Sequence, residues 1–172
     1  MLKLISSLLI ITSCGLIGVL IARNYSLRPD ELRSLQVALE MLETEIAYAA
    51  TPLAEALQSL AARADKRLSP LFEYILIEFR STPGCTAQEA WAKALKNFYP
   101  QTALRKSDLV ILSNLSRALG ISDRQDQTKH LRLAIKQVGA ELARAQNDAL
   151  KHVKLWNCLG FLSGMVIVLL LY

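Results

Sequence analysis

"LRPDELRSLQVALEMLETEIAYAA", residues 27–50, decides the fold. Leu32, Leu35, Leu39, Leu42, Ile46 and Ala49 recur at alternating spacings of three and four residues. At 3.6 residues per turn this places all of them on one stripe, the heptad seam of a helix that packs along another helix. Pro29 lacks a backbone N–H and suits a first helical position. Asp30 and Glu31 follow it in the first turn, where negative charge suits the helix dipole. The pattern therefore predicts a helix that starts at Pro29, buries a leucine stripe and exposes Glu40, Glu43 and Glu45.

The chain beyond residue 50 repeats these signals. Thr51 reads as an N-cap with Pro52 at the first helical position, ahead of a stripe of Leu53, Ala56, Leu57 and Leu60. Ser69 and Pro70 repeat the device before Phe72, Ile75, Leu76 and Phe79. A turn at Pro83-Gly84 leads to a capping box of Thr86 and Glu89, then to Trp91, Ala94, Leu95 and Phe98. A fifth helix is expected from about residue 102 to 119, burying Leu104, Val110, Ile111 and Leu115.

The most polar interruption is "ALGISDRQDQTKHLRLAI", residues 118–135. Asp123, Asp126 and His130 raise the question of a catalytic or metal-binding loop. Helix grammar accounts for the whole stretch instead. Gly120 fits a left-handed C-cap, Ser122 and Gln125 fit a capping box, and Asp123 fits a first turn. Leu131, Ile135, Val138, Leu142, Ala145 and Ala149 then form a second seam, and no proline follows before the C-terminus. The stretch reads as a structural hinge between helices, and His130 as a polar-face residue.

The two ends of the chain differ from the middle. Residues 4–22 and 155–172 contain no charged residue. As helices, runs of this length reach about 27–28 Å, close to a hydrocarbon core of about 30 Å. Two transmembrane helices, in residues 1–22 and 155–172, are therefore expected to flank a helical domain of residues 23–154. "ITSC", residues 11–14, also resembles the box before a lipid-modified cysteine, so a lipoprotein anchored at Cys14 is an alternative. The apolar run continues past Cys14 to residue 22, which favours an uncleaved anchor. Arg23, Arg28, Arg33, Lys151 and Lys154 flank the two runs on their inner sides. By the positive-inside rule the middle domain is cytoplasmic and both termini lie outside.

The chain carries 20 Lys+Arg and 15 Asp+Glu, for a formal net charge of +5. Those charges are interleaved, which argues against nucleic acid as a partner. Three scattered cysteines, Cys14, Cys85 and Cys158, form neither a disulfide framework nor a zinc spacing. No phosphate-binding glycine loop, nucleophile elbow or HExxH occurs, so no cofactor, metal site or catalytic residue is expected. A membrane-bound regulator or enzyme with an unrecognised site is the competing reading. Two charged stripes are candidate partner-docking surfaces: Glu40 and Glu43, and Lys129, Arg132 and Lys136. Gly160 and Gly164 have the small-xxx-small spacing of packed spans, which raises a homo-oligomer as a further possibility.

Three stretches carry a family resemblance: "RPDELRSLQVALEMLETEIAYAATPLAEAL", "LGISDRQDQTKHLRLAIKQ" and "WNCLGFLSGMVIVLLL". Together they make the chain resemble, over essentially its full length, the stage III sporulation protein AB family of endospore-forming bacteria. Residues 51–57 and 119–131 are the most specific parts. That family is similar to one cytoplasmic module of the inner-membrane platform proteins of type II secretion and type IV pili. The resemblance implies a non-enzymatic, all-α platform component of a secretion-like complex joining mother cell and forespore. Its partners would be a cytoplasmic secretion-type ATPase and ring-forming membrane proteins. The residues by themselves imply a bundle of about six antiparallel helices held between two spans.

Overall fold

The computed structural model describes residues 2–81, 84–120 and 122–171, without the side chains of residues 2–8, 11, 24, 157, 161 and 171. The elements are α1 (Leu2–Ala47), α2 (Leu53–Arg63), α3 (Ser69–Ser81), α4 (Ala87–Phe98), a 3₁₀ turn (Tyr99–Gln101), α5 (Lys106–Ser116) and α6 (Arg124–Leu171). No strand occurs among the described residues. The chain forms two compact units, Asp30–Leu142 and Met1–Pro29 with Ala143–Tyr172.

The bundle unit, Asp30–Leu142, is built on the predicted seam. Leu32, Leu35, Leu39 and Leu42 are fully buried and Ile46 nearly so. Ala56, Leu57 and Leu60 of α2, Phe72 and Ile75 of α3, and Leu131 and Val138 of α6 complete much of the core with Trp91 and Phe98 of α4. Trp91 is fully buried, and its indole N–H has no acceptor among the described residues. Polar contacts tie the helices together around this core. Ser59 of α2 donates to Glu45 of α1, and Lys93 of α4 pairs with Glu78 of α3 at 2.8 Å.

Several local expectations change in register. The helix start expected at Pro29 is absent, because α1 runs unbroken from Leu2 to Ala47 with Pro29 inside it. A proline in a helix interior forfeits one backbone bond, at a cost of about 3 kcal/mol. Its fixed φ serves a first turn and an interior equally, so "LRPDEL" does not distinguish them; the helical run before it does. The division between the two units falls at this proline. The seam also stops one step early, since Ala49 lies beyond α1 and is exposed. Ala50 takes the left-handed position that closes α1 (φ 55°), and the Thr51 N–H donates back to the Glu45 carbonyl at 3.1 Å.

Capping shifts in the same way. Pro52, not Thr51, is the N-cap of α2: its carbonyl accepts from the Ala56 N–H at 2.9 Å, and it makes no side-chain cap. The Thr51 hydroxyl donates to Glu45 instead (3.0 Å). Ser69 is the first residue inside α3, with its hydroxyl 2.9 Å from the Ala61 carbonyl. Leu53, Leu76 and Phe79, expected in the core, are only partly buried. The capping box of Thr86 and Glu89 is present on α4 as expected. Of the turn before it, Pro83 lies outside the described residues and Gly84 has φ +79°.

α5 starts later than predicted and turns a different face inward. Leu104, Leu112 and Leu115 are buried, whereas Val110 is 57% exposed and Ile111 half-buried. The buried stripe includes Asp108, a polar residue that a hydrophobic pattern passes over. Its carboxylate accepts from the Arg105 N–H at 2.8 Å and so caps the helix from inside.

Gly120 has the left-handed φ of +79° expected of it. An added Cβ there would lie 3.3 Å from Leu53 Cδ2, so the position is both strained and tight for any other residue. The expected capping box of Ser122 and Gln125 does not form. Asp123 is the cap, accepting from the Asp126 N–H at 2.8 Å, while the Ser122 hydroxyl donates back to the Ala118 carbonyl. Loss of this cap in Asp123→Ala should cost about 1 kcal/mol. The same change at Ser122 should cost less. Denaturant midpoints of the two variants check the order, and a larger loss at Ser122 would restore the first assignment.

The terminal unit pairs the beginning of α1 with the end of α6. Gly18 and Gly160 meet backbone to backbone: a Cβ on Gly18 would lie 2.9 Å from Gly160 Cα and 2.7 Å from the Trp156 carbonyl oxygen. The rings of Tyr25 and His152 stack at 5.1 Å between centroids. Large apolar side chains point outward, among them Leu16, Leu20, Leu162, Leu169 and Leu170. By length and composition one helix, α6, qualifies to cross a membrane among the described residues. The predicted first span includes residues 4–8 and 11, whose side chains lie outside them.

Candidate functional site

Residues 118–135, expected to form a structural hinge, carry the Asp126–His130 pair at the start of α6. Asp126 and His130 lie 3.7 Å apart on α6, an exposed pair one turn apart. Asp123 is consumed by the cap. Among the described residues no group of His, Cys, Asp and Glu is placed to hold a metal ion. Cys14, Cys85 and Cys158 are free thiols.

The structure brings the two charged stripes together rather than presenting them separately. Arg132 Nε donates to Glu43 Oε1 at 2.6 Å. This carboxylate, first through the hydrogen bond and then through its charge, holds the Arg132 guanidinium further toward its protonated form. Glu40 accepts from Gln36 at 3.1 Å, and Glu45 accepts from Thr51 and Ser59 and pairs with Arg63. The acidic stripe of α1 is thus largely spent on its own bundle. Lys129 and Lys136, a heptad apart on α6, stay exposed.

Where α1 ends against the first turns of α6, the surface is concave. Ala47, Arg124, Gln125, Thr128, Lys129 and Arg132 line a cleft of about 360 Å³. Arg124 was not among the expected docking residues, because the helix start was placed one residue early, with Ser122 rather than Asp123 as its cap. The Thr128 hydroxyl donates to the Arg124 carbonyl at 2.8 Å and stiffens this first turn.

One buried carboxylate lies elsewhere in the bundle. Glu31, 7% exposed, accepts from the Ala103 N–H at 2.9 Å and tethers α1 to the chain ahead of α5. Burial raises its carboxyl above the ordinary glutamate value, opposed by the Ala103 and Leu104 amides and by the charge of Arg67. A raised folded value means that its contribution to stability is full below about pH 4 and is lost as pH rises through that value. Glu31→Gln keeps an acceptor and removes the buried charge. It should raise the melting temperature at neutral pH, and the gain should vanish below about pH 4. Equal gains at both pH values would show that charge is not the cause.

In the terminal unit, Ser26, Pro29, Gln146, Ala149, Leu150, Val153 and Lys154 line a mainly apolar groove of about 750 Å³. Gly160, expected to serve contacts between copies, meets Gly18 of its own chain. Sequence reading missed Gly18, although Cys14 and Gly18 repeat the same small-xxx-small spacing four residues apart.

Comparison with known proteins agrees over the whole chain. Residues 3–172 match the family described as Stage III sporulation protein AB. The chain is 35% identical over 171 residues to Stage III sporulation protein AB of Bacillus subtilis (strain 168), covering 99% of both chains. It is also similar to a solved structure titled Stage III sporulation protein AB (SpoIIIAB). The TM-score is 0.66 and the identity 34%, covering 72% of this chain and 96% of that one.

Proposed function

Because the chain belongs to the stage III sporulation protein AB family, we propose that it is a non-enzymatic platform in the membrane of the mother cell that faces the forespore. In this reading residues 4–22 and 155–172 both span the bilayer, the bundle faces the cytoplasm, and both termini lie outside. The bundle docks a cytoplasmic secretion-type ATPase, and the whole chain docks ring-forming membrane proteins. One observation carries the reading: the terminal helices pack through Gly18 and Gly160 while their large apolar side chains point outward. Close glycine packing with exposed leucines is how two helices pair in lipid, where burial of apolar surface gains nothing. In water the same exposed surface would be an aggregation hazard.

A platform works by holding weak contacts at high effective concentration, so its anchors are part of its activity. A fragment of residues 27–150, made without either apolar run, should fold as a helical bundle and fail to restore sporulation to a strain lacking the protein. The full chain should restore it. Restoration by the fragment at ordinary expression levels would replace the platform with a diffusible activity.

A further inference from the structure

The two charged stripes are not equivalent docking surfaces, and the hydrogen bonds decide between them. Glu40, Glu43 and Glu45 each have partners within the bundle. The cleft at the start of α6 has the opposite balance. Three cations line it, Arg124, Lys129 and Arg132, and among the described residues the one carboxylate bonded to any of them is Glu43. Among the described residues Arg124 and Lys129 have no ion-pair partner. Glu43 binds Arg132 through Nε alone, which pins the side chain and leaves its terminal nitrogens to donate. His130 lies around the far side of α6 from 124, 128 and 132, and Asp126, three residues before Lys129, pairs with His130 at 3.7 Å. Lys136 extends the positive stripe from Lys129 by one heptad.

We propose that this cleft is a docking site for an acidic peptide segment of a protein partner, whose carboxylates bind Arg124, Lys129 and the free edge of Arg132. The inference rests on the platform reading only in taking the occupant to be a protein. A guanidinium held in place by its Nε is prepared to take a carboxylate on its two terminal nitrogens. The complementarity sets orientation and encounter rate, and it weakens with salt.

The test uses the full chain in neutral detergent micelles and a fluorescein-labelled peptide of glutamates, read by anisotropy at low salt. Saturable binding is expected. Arg124→Glu with Lys129→Glu should weaken it about tenfold, as two exposed attractions become repulsions. Lys66→Glu with Lys96→Glu changes the net charge equally at exposed positions away from the cleft and should leave binding within about twofold. The pair Arg124→Gln and Lys129→Gln, expected to weaken binding by less than the reversals, serves if the reversals disturb the helical spectrum. Absent binding, or equal weakening by both reversal pairs, overturns the proposal. So does a cleft-dependent loss of binding to phosphatidylglycerol vesicles with peptide binding unchanged, which would assign the cleft to a membrane. None of these outcomes bears on the platform reading, which the sporulation test of the anchorless fragment decides.

Discussion

Replacing Leu39 by aspartate should abolish the cooperative thermal transition of the bundle fragment, residues 27–150. Leu39 is fully buried on the α1 seam, with Leu35 and Leu42 one turn away on either side and equally buried. Deleting a buried leucine side chain to alanine alone costs about 2–5 kcal/mol. Aspartate adds a carboxylate without a partner, and an uncompensated buried charge costs several kcal/mol more. If the carboxylate takes up a proton instead, its polar oxygens still lack water. The sum is comparable to the whole stability of a typical domain, about 5–15 kcal/mol. Val37, two residues away, is 44% exposed and supplies the control. Val37→Asp should shift the midpoint by about 0.5 kcal/mol or less. The measurement is the helical signal against temperature for both variants. A native-like transition in Leu39→Asp would remove the seam from the core.

The seam was legible because burial along a helix repeats at 3.6 residues and leucines record it directly. Leu32, Leu35, Leu39 and Leu42, and Leu131 and Val138 on α6, are all buried where the spacing places them. Signals that act through one residue were less secure. Pro29 fits two different helical positions, and only the helical state of the preceding residues separates them. Ser122 and Asp123 are both good caps, and the choice turned on which carbonyl started the helix ladder. That one-residue shift also hid Arg124 from the candidate surface. Pairing between distant helices left no local trace at all. Glu43 and Arg132 are 89 positions apart, and nothing in either stripe says that one neutralises the other. The docking candidates were therefore legible as charges but not as a site. The cleft exists only once the end of α1 meets the start of α6.

Gly18 and Gly160 carry the other large expected effect, and a second glycine of α6 supplies its counterpart. In Gly18→Leu the new Cβ would lie 2.7 Å from the Trp156 carbonyl oxygen and 2.9 Å from Gly160 Cα. Both atoms are backbone, so neither can rotate away and the two helices must separate. Overpacking in a core that can adjust costs about 1–3 kcal/mol; here rigid backbone faces the intruder, so a loss at or above the top of that range is expected. Gly160→Ala is the milder form, with its Cβ 3.0 Å from Gly18 Cα and 3.1 Å from the Cys14 carbonyl oxygen. Gly139 sits in the same helix, yet a Cβ there would meet Gln36 Oε1 at an ordinary 3.7 Å. Gly139→Ala should therefore stabilise, by about 0.4–1 kcal/mol, through the lower entropy of its unfolded chain. The same substitution in one helix is thus expected to act with opposite signs. Melting of the full-length variants in detergent micelles reads both, with Trp156 fluorescence reporting the glycine contact in a Trp91→Phe background. If Gly160→Ala and Gly18→Leu melt no lower than the parent, the terminal helices do not rely on this contact. The pairing that supports the membrane reading would then be lost.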